Sequence, residues 1–464
     1  MTISPHPSRP SRRFRSALTA ATAGLVLLTG CAVASEATPP DAAAADGSGA
    51  NAASVAVADG DGFGDDAVSV EVDLFDSSVV HTISVDFDQS DYDAMIETFT
   101  TTGDKQWIAA TVTIDGVTYE DVGLRLKGNS SLFGLTSATS GSPEDLPWLI
   151  RLDKFVDGED HQGYEDIVIR SNSTETALNE AVAQELLAVT GLASQSPIAT
   201  AFTVNGGETE LRLAVENPDE EWYEDNFDDE DGLLYKADSD GDYSYRGDDV
   251  EAYIDVFDQE VGDDDMQPLI DLLDFINNAD DATFAAELGD RLDVDAFATY
   301  LAFQDLIGNA DDINGRGNNS YLQYDTATDQ FTVVSWDLNL AFDTANVGGG
   351  GGVTGGGVPG GGRPAGGGAG RPAGPIDGGA AGGVGGPGDQ ANVLVDRFMA
   401  DESFAAMYAA KTDELTAALF SSGTVDEVIA NWVDVLINGA SDLVSEATVT
   451  AEAAALIDYV DGVR

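Results

Sequence analysis

The stretch Leu306–Phe342, reading LIGNADDINGRGNNSYLQYDTATDQFTVVSWDLNLAF, restricts the fold more than any other part of the chain. A helix end runs into a polar loop, two short strands follow, and the second closes on Trp336-Asp337. Tyr321–Tyr324 alternates, and Phe331–Val334 follows a turn over Asp325–Asp329, which is the pattern of a β-hairpin. Polar groups fall at three places: Asn309 and Asp311 ahead of the hairpin, Asn318 and Asn319 at its first strand, and Asp337 at its far end. A hairpin brings its open ends together, so Asp311, Asn319 and Asp337 are expected around one small volume.

Two carboxylates and a carboxamide suit a hard divalent cation, and Mg²⁺ uses one or two carboxylates together with substrate phosphates. Protein kinases carry such groups in the same order: a catalytic-loop Asp, a metal-binding Asn, two strands, then a second metal-binding Asp. Turn capping at both ends of a hairpin is the alternative use of Asn and Asp here. The stretch resembles the signature of the spore coat protein H-like (CotH) kinase family, an N-x-D … NNxYLY … WDLD-type pattern, with Asn339 standing where the final Asp is usual.

A second stretch points the same way. Trp107–Ile114 and Val117–Leu126 are predicted to form a hairpin around Asp115-Gly116, delivering Gly123-Leu-Arg-Leu-Lys-Gly-Asn-Ser-Ser131. Arg125 and Lys127 share one strand face, and Gly128–Ser131 offers backbone N–H groups and hydroxyls in a turn, a plausible phosphate cradle. Surface cations neutralising nearby acids are the other reading. The segment resembles the family's R-x-KGNSS motif. Trp148–Phe155 (WLIRLDKF) and Tyr164–Arg170 read as strands, and Thr174–Thr190 as a helix stopped by Gly191. Glu180 or Glu185 on that helix is a candidate to pair with a strand cation. A hairpin over Ala199–Val204 and Leu211–Glu216 resembles the family's NG … E hairpin.

The resemblance covers about residues 70–460. It implies an α+β, atypical two-lobed protein-kinase-like fold, with a β-rich N-terminal lobe and a helix-rich C-terminal lobe. It also implies phosphate transfer from ATP to Ser/Thr of coat or surface proteins, with Mg²⁺ or Mn²⁺. Carried onto this chain, Asp311 is the catalytic Asp and Asn319 and Asp337 hold the metal. Arg125, Lys127, Asn129, Ser130, Arg151 and Glu216 are expected at the nucleotide. There are departures: Arg151 stands where many relatives have Lys, and Asp311 precedes Asn319 by eight residues, against about five in ordinary kinases. A non-catalytic surface or envelope-assembly protein that kept the fold is the alternative.

The remaining sequence sets bounds. With 84 acidic and 20 basic residues, net charge −64, the chain is expected to repel nucleic acid and anionic headgroups. Arg9, Arg12, Arg13 and Arg15 precede the apolar run Ala17–Leu28, a signal segment too short to span a bilayer. It ends in Leu28-Thr-Gly-Cys31, similar to a bacterial lipobox, and Cys31 is the chain's one cysteine. Lipid attachment at Cys31, a flexible tether over 32–66 and a domain over 67–464 are expected, giving a monomer held outside the cell membrane by its anchor alone. Residues 348–388 hold 23 glycines in 41 positions and are expected to be a disordered insertion. Amphipathic helices over Asn392–Phe420 and Val425–Ile437 complete the domain. Val68–Phe75 and Val79–Phe87 read as strands, Gln89–Thr98, Met266–Asn277 and Val294–Ile307 as helices, and Asn217–Asp265 as acidic and turn-rich, a region that the family resemblance implies to be variable surface. Within it Asp238–Asp242 invites a calcium site, but Tyr243 and Asp249 fall where a helix-loop-helix site needs Gly and Glu. The single cysteine excludes Cys–His catalysis, and the chain has no GxxxxGK[ST] or HExxH motif.

Overall fold

The computed structural model describes residues 72–464 apart from 129, 133–134, 137–141, 230, 239–241, 316–318 and 343–391. Cys31, the tether, Asn129, Asn318 and the Gly-rich run lie outside the described residues, as do three of the five positions of the calcium candidate.

Seven strands close into a barrel. β1 (Val80–Phe87) leads into α1 (Gln89–Thr102), followed by β2 (Ile108–Ile114) and β3 (Val117–Leu126). The β2–β3 turn places Asp115 and Gly116 both at positive φ, as a tight two-residue hairpin turn requires. β4 (Trp148–Arg151) is shorter than predicted because the chain tightens into a 3₁₀ turn at Leu152–Lys154. Next come β5 (Asp166–Ile169), α2 (Leu178–Thr190), β6 (Pro197–Val204) and β7 (Thr209–Glu216). The barrel order is β1-β2-β3-β4-β5-β7-β6, closed by parallel pairing of β1 with β6. Alternating Ile83 and Val85, Val112 and Ile114, and Leu124 and Leu126 point inward and are fully buried.

The acidic stretch after Glu216 is more ordered than its composition suggests. It holds α3 (Glu220–Asn226), β8 (Leu233–Ala237) and β9 (Phe257–Val261). β8 is covered on both faces, so its sequence lacks the alternation that marks a half-buried strand. α4 (Gln267–Asn278), α5 (Asp281–Glu287) and α6 (Val294–Leu306) follow, then β10 (Ser320–Asp325) and β11 (Gln330–Ser335). The expected hairpin forms, and it joins a four-stranded sheet ordered β11-β10-β8-β9. α7 (Val393–Ala400), α8 (Glu402–Leu415), a π-helical turn at Thr416–Ser421, α9 (Thr424–Gly439) and α10 (Glu446–Val463) complete the chain. The architecture is α+β, β-rich at its N-terminal side and helical towards the C-terminus. The strand predicted at Val68–Phe75 is absent in its described part, where residues 72–79 form turns and Leu74 is buried.

α2 sits between barrel and C-terminal helices. Its face of Leu178, Val182 and Leu186 is fully buried in one core that also contains Leu436 of α9 and Leu456 of α10. At roughly 2 kcal/mol per buried side chain, this packing rather than helix propensity holds α2 in place. Gly439 ends α9 against β1, where an added Cβ would lie 2.6 Å from Val80.

Candidate functional site

Cations gather around two tryptophans at one side of the barrel. Trp107, just ahead of β2, has Arg125 at 4.7 Å, Lys154 at 5.1 Å and Arg151 at 6.0 Å from its ring centroid. Gly123 makes this possible: an added Cβ would lie 2.4 Å from the Lys154 side chain and 3.0 Å from the Trp107 ring. Arg151 donates two hydrogen bonds to buried Asp166, at 2.7 and 2.6 Å, which raise its pKa. Asp166 also accepts from Asn217 at 2.9 Å, and Asn217 accepts from Lys127 Nζ at 2.7 Å. Arg125 behaves differently: its buried Nε has no hydrogen-bond partner, and burial lowers its pKa.

Trp336, which closes the hairpin, carries the second group. Lys127 Nζ lies 5.3 Å and the Arg170 guanidinium 5.6 Å from its ring centroid. Burial pushes Lys127 down to about 8, against the pull of Glu260 and Asp166. Arg170 leaves the end of β5 and places Nε 2.8 Å from Glu180 on α2, while its Nη2 donates to Asp337. Burial works against the charge of Arg170, but the two carboxylates outweigh it and raise its pKa. Burial pushes Glu180 up to about 7 despite Arg170, with Asp337 adding to the rise. One guanidinium does not fully compensate two carboxylates held this close. Asp337 is itself in the left-handed region, φ 59°, a costly conformation for a residue with a Cβ that aims its carboxylate at Arg170. Lys236 of β8 lies 5.0 Å over the Tyr321 ring, which meets Trp336 edge-on at 5.6 Å. Burial lowers both Lys236 and Lys105, and Lys105 also feels Arg125 and Lys236. Seven cations of a chain with net charge −64 thus share one region.

The sequence-predicted residues divide. Asn319 Nδ2 donates to Asp311 Oδ2 at 3.0 Å, so these two meet as expected. Gly315 permits this loop, since an added Cβ would lie 2.6 Å from the Asp311 Cα. Asn309 is buried behind them, donating to Gln304 at 2.9 Å, and Gln304 donates to Ser335 at 3.0 Å. The Ser320↔Ser335 rung sets Asn319 and Asp337 at the same open end of the hairpin, but Asp337 is engaged by Arg170. Lys127 and Arg125 flank the region, whereas Arg151 is committed to Asp166. Glu216 turns elsewhere: its carboxylate accepts from the Ser196 backbone N–H at 2.7 Å, and its neighbour Asn217 reaches Lys127 instead. Burial pushes Glu216 up to about 7. Glu185 accepts from Ser77 at 2.7 Å, leaving Glu180 as the helix carboxylate of the site. Ser130 begins a 3₁₀ turn, Ser130–Leu132. Gly128 precedes it at φ +89°, where a Cβ would lie 2.4 Å from Ser131 Oγ.

Sequence reasoning missed Arg170, Asn217, Asp166 and Lys236. The available signal for Arg170 was a lone cation ending an apolar strand just before a helix. Asp166, Asn217 and Lys236 carried none, because their roles arise from barrel closure and from pairing of β8 with β10. Among the described residues no three His, Cys, Asp or Glu side chains are grouped to hold a metal. Asp337, one-fifth exposed, the Asn319 carbonyl and Asp311 are nonetheless hard oxygen donors of the kind Mg²⁺ takes when phosphates complete its shell. No helix among the described residues is long and apolar enough to cross a membrane.

Comparison with known proteins gives one family. A family model described as CotH kinase protein matches residues 124–453, from β3 to within α10. No curated protein matches the chain.

Proposed function

The chain belongs to the CotH kinase family, and from that premise we propose that it transfers the terminal phosphate of ATP to Ser/Thr hydroxyls of extracytoplasmic proteins. The observation that carries the reading is the Glu180–Arg170–Asp337 chain. A strand cation paired with a helix Glu, and reaching the Asp after the hairpin, is the arrangement kinases use to seat phosphates, here with Arg in place of Lys. Barrel and helix-rich part then correspond to the two lobes of an atypical kinase-like fold. Lys127, Arg125 and Arg170 bind phosphate oxygens, and Lys236 adds positive potential. Asp311 orients the acceptor hydroxyl and takes its proton, with Asn319 fixing its carboxylate. Asp337 and Asn319 are the residues to hold Mg²⁺ or Mn²⁺, which when bound neutralises charge on the phosphates. Catalysis is then mainly positioning and electrostatics. The lipobox at Cys31 supports a lipid-anchored protein on the outer face of the membrane.

A second reading, a nucleotide-binding protein without turnover, is favoured by the engagement of Asp337 with Arg170. Labelled ATP, a generic acceptor protein and Mg²⁺ or Mn²⁺ separate the two. Transfer is expected from the wild type, with loss of at least about 100-fold in Asp337→Ala. ATP that raises the melting temperature without transfer supports the second reading. Neither transfer nor thermal shift sinks both.

A further inference from the structure

The segment between Arg170 and Glu180 leaves the barrel and returns to it, and the ion pair of those residues closes its base at 2.8 Å. Its tip, Thr174–Thr176, is gripped by one residue from the far end of the chain. Glu452 of α10 accepts from Thr174 Oγ1 at 2.8 Å, from Glu175 N at 3.0 Å, from Thr176 N at 3.2 Å and from Thr176 Oγ1. The grip continues into α2. Thr174 Oγ1 accepts from Ala177 N at 3.1 Å and Thr176 Oγ1 from Leu178 N at 3.1 Å. Both hydroxyls donate to Glu452, which turns their lone pairs towards the first N–H groups of the helix. Ala177, at φ 52°, supplies no side-chain cap of its own. The helix that presents Glu180 is therefore capped by hydroxyls that a distant carboxylate orients, and the negative charge also suits the helix N-terminus. Asn179, next to Glu180, donates to the Asn339 carbonyl at 2.6 Å, so the same turn is fastened to the segment following Asp337.

We propose that Glu452 is a positioning residue: through Thr174 and Thr176 it sets the first turn of α2 so that Glu180 stays on Arg170 and Arg170 on Asp337. The kinetic part of this inference rests on the proposed phosphotransfer; the structural part does not. α10 thus belongs to the site it does not touch.

The test uses the full chain and two readouts. Amide hydrogen exchange of Glu452→Ala is expected to speed at least tenfold at Ala177 and Leu178, whose N–H groups the two hydroxyls hold, and at Ala181, which donates to the Ala177 carbonyl. Leu456→Ala, which weakens α10 packing without touching the grip, should leave these amides slower than in Glu452→Ala at matched stability. Unchanged exchange, or equal exchange in the two variants, overturns the proposal whether or not the protein is a kinase. In phosphotransfer, Glu452→Ala is expected to lower kcat/KM about tenfold, and to lower it by less than twofold in a Glu180→Gln background. Such non-additivity marks action through Glu180. Full additivity makes Glu452 a structural cap and overturns its positioning role. A wild type without transfer removes the proposed function, and the exchange experiment alone then decides about Glu452.

Discussion

The two tryptophan-centred cation groups look alike and are built differently. Around Trp107, Arg125, Arg151 and Lys154 all come from β3, β4 and the turn after it, and the one tight carboxylate, Asp166, belongs to the same barrel. Around Trp336, Lys127 and Arg170 come from the barrel, whereas their partners arrive from α2, from the hairpin exit and from the link after β7. The first group is internal to the barrel. The second ties three elements together, and its charges are less exposed: the Arg170 side chain is 11% exposed against 36% for Arg151. Equal chemistry therefore has unequal consequences.

The largest expected difference is in stability. Arg170→Met strands Glu180 and Asp337 and is expected to cost about 3–5 kcal/mol in urea unfolding, as does breaking a buried ion pair elsewhere. Arg151→Met, at a more exposed pair, should cost clearly less. Equal losses would erase the distinction between the groups. Next is acid stability. Burial raises Glu216 and Asp312, each to about 7, so the folded state binds protons that the unfolded state has released. Their contribution is complete below the unfolded pKa of each and is lost as pH rises through 7. Melting measured at pH 5.5 and pH 8 should favour pH 5.5, by up to about 2 kcal/mol per group. A flat profile would show that these carboxylates find partners in solution.

Lys127 sharpens the comparison kinetically. With its ammonium lowered to about 8, kcat/KM for ATP should fall as pH rises past 8, tenfold per pH unit, while Lys127→Arg should hold level over that range. A wild-type profile flat to pH 9.5 would remove Lys127 from the proposed phosphate contacts. Lys154→Met is the smallest expected effect, a few tenths of a kcal/mol and under twofold in kcat/KM, since Lys154 lies on the Trp107 side. A tenfold loss would show that the outer group contacts substrate as well.

What could be read in advance follows the same division. The hairpin at Tyr321–Val334 and the meeting of Asp311 with Asn319 are local consequences of alternation and turn chemistry, and both were legible. The Gly123–Ser131 strand and turn were legible for the same reason. The Arg170–Glu180–Asp337 chain spans 167 residues between its ends, and nothing in a local pattern chooses Arg170 over Arg151 as the partner of Glu180. β8 and β9 were hidden by composition: Leu233–Ala237 is buried on both faces and so lacks alternation, and the surrounding acids suggested a loop. Glu216 misled because it ends a strand beside the site. One step of β alternation carries its side chain to Ser196, and the next residue makes the contact.

The parallel seam between β1 and β6 governs how such a chain must be made. Val80 finds Ala199 as its partner, so the first strand waits for the sixth through more than a hundred residues of synthesis. Contacts that distant in sequence slow folding, and until they form both strands offer bare edges to any neighbour. Nascent copies of this protein would be candidates for edge-to-edge aggregation, were it not that each one carries a charge of −64. Like-charged chains repel during that interval. A surplus of acids that has no part in the proposed phosphate site would thus serve the protein during its assembly.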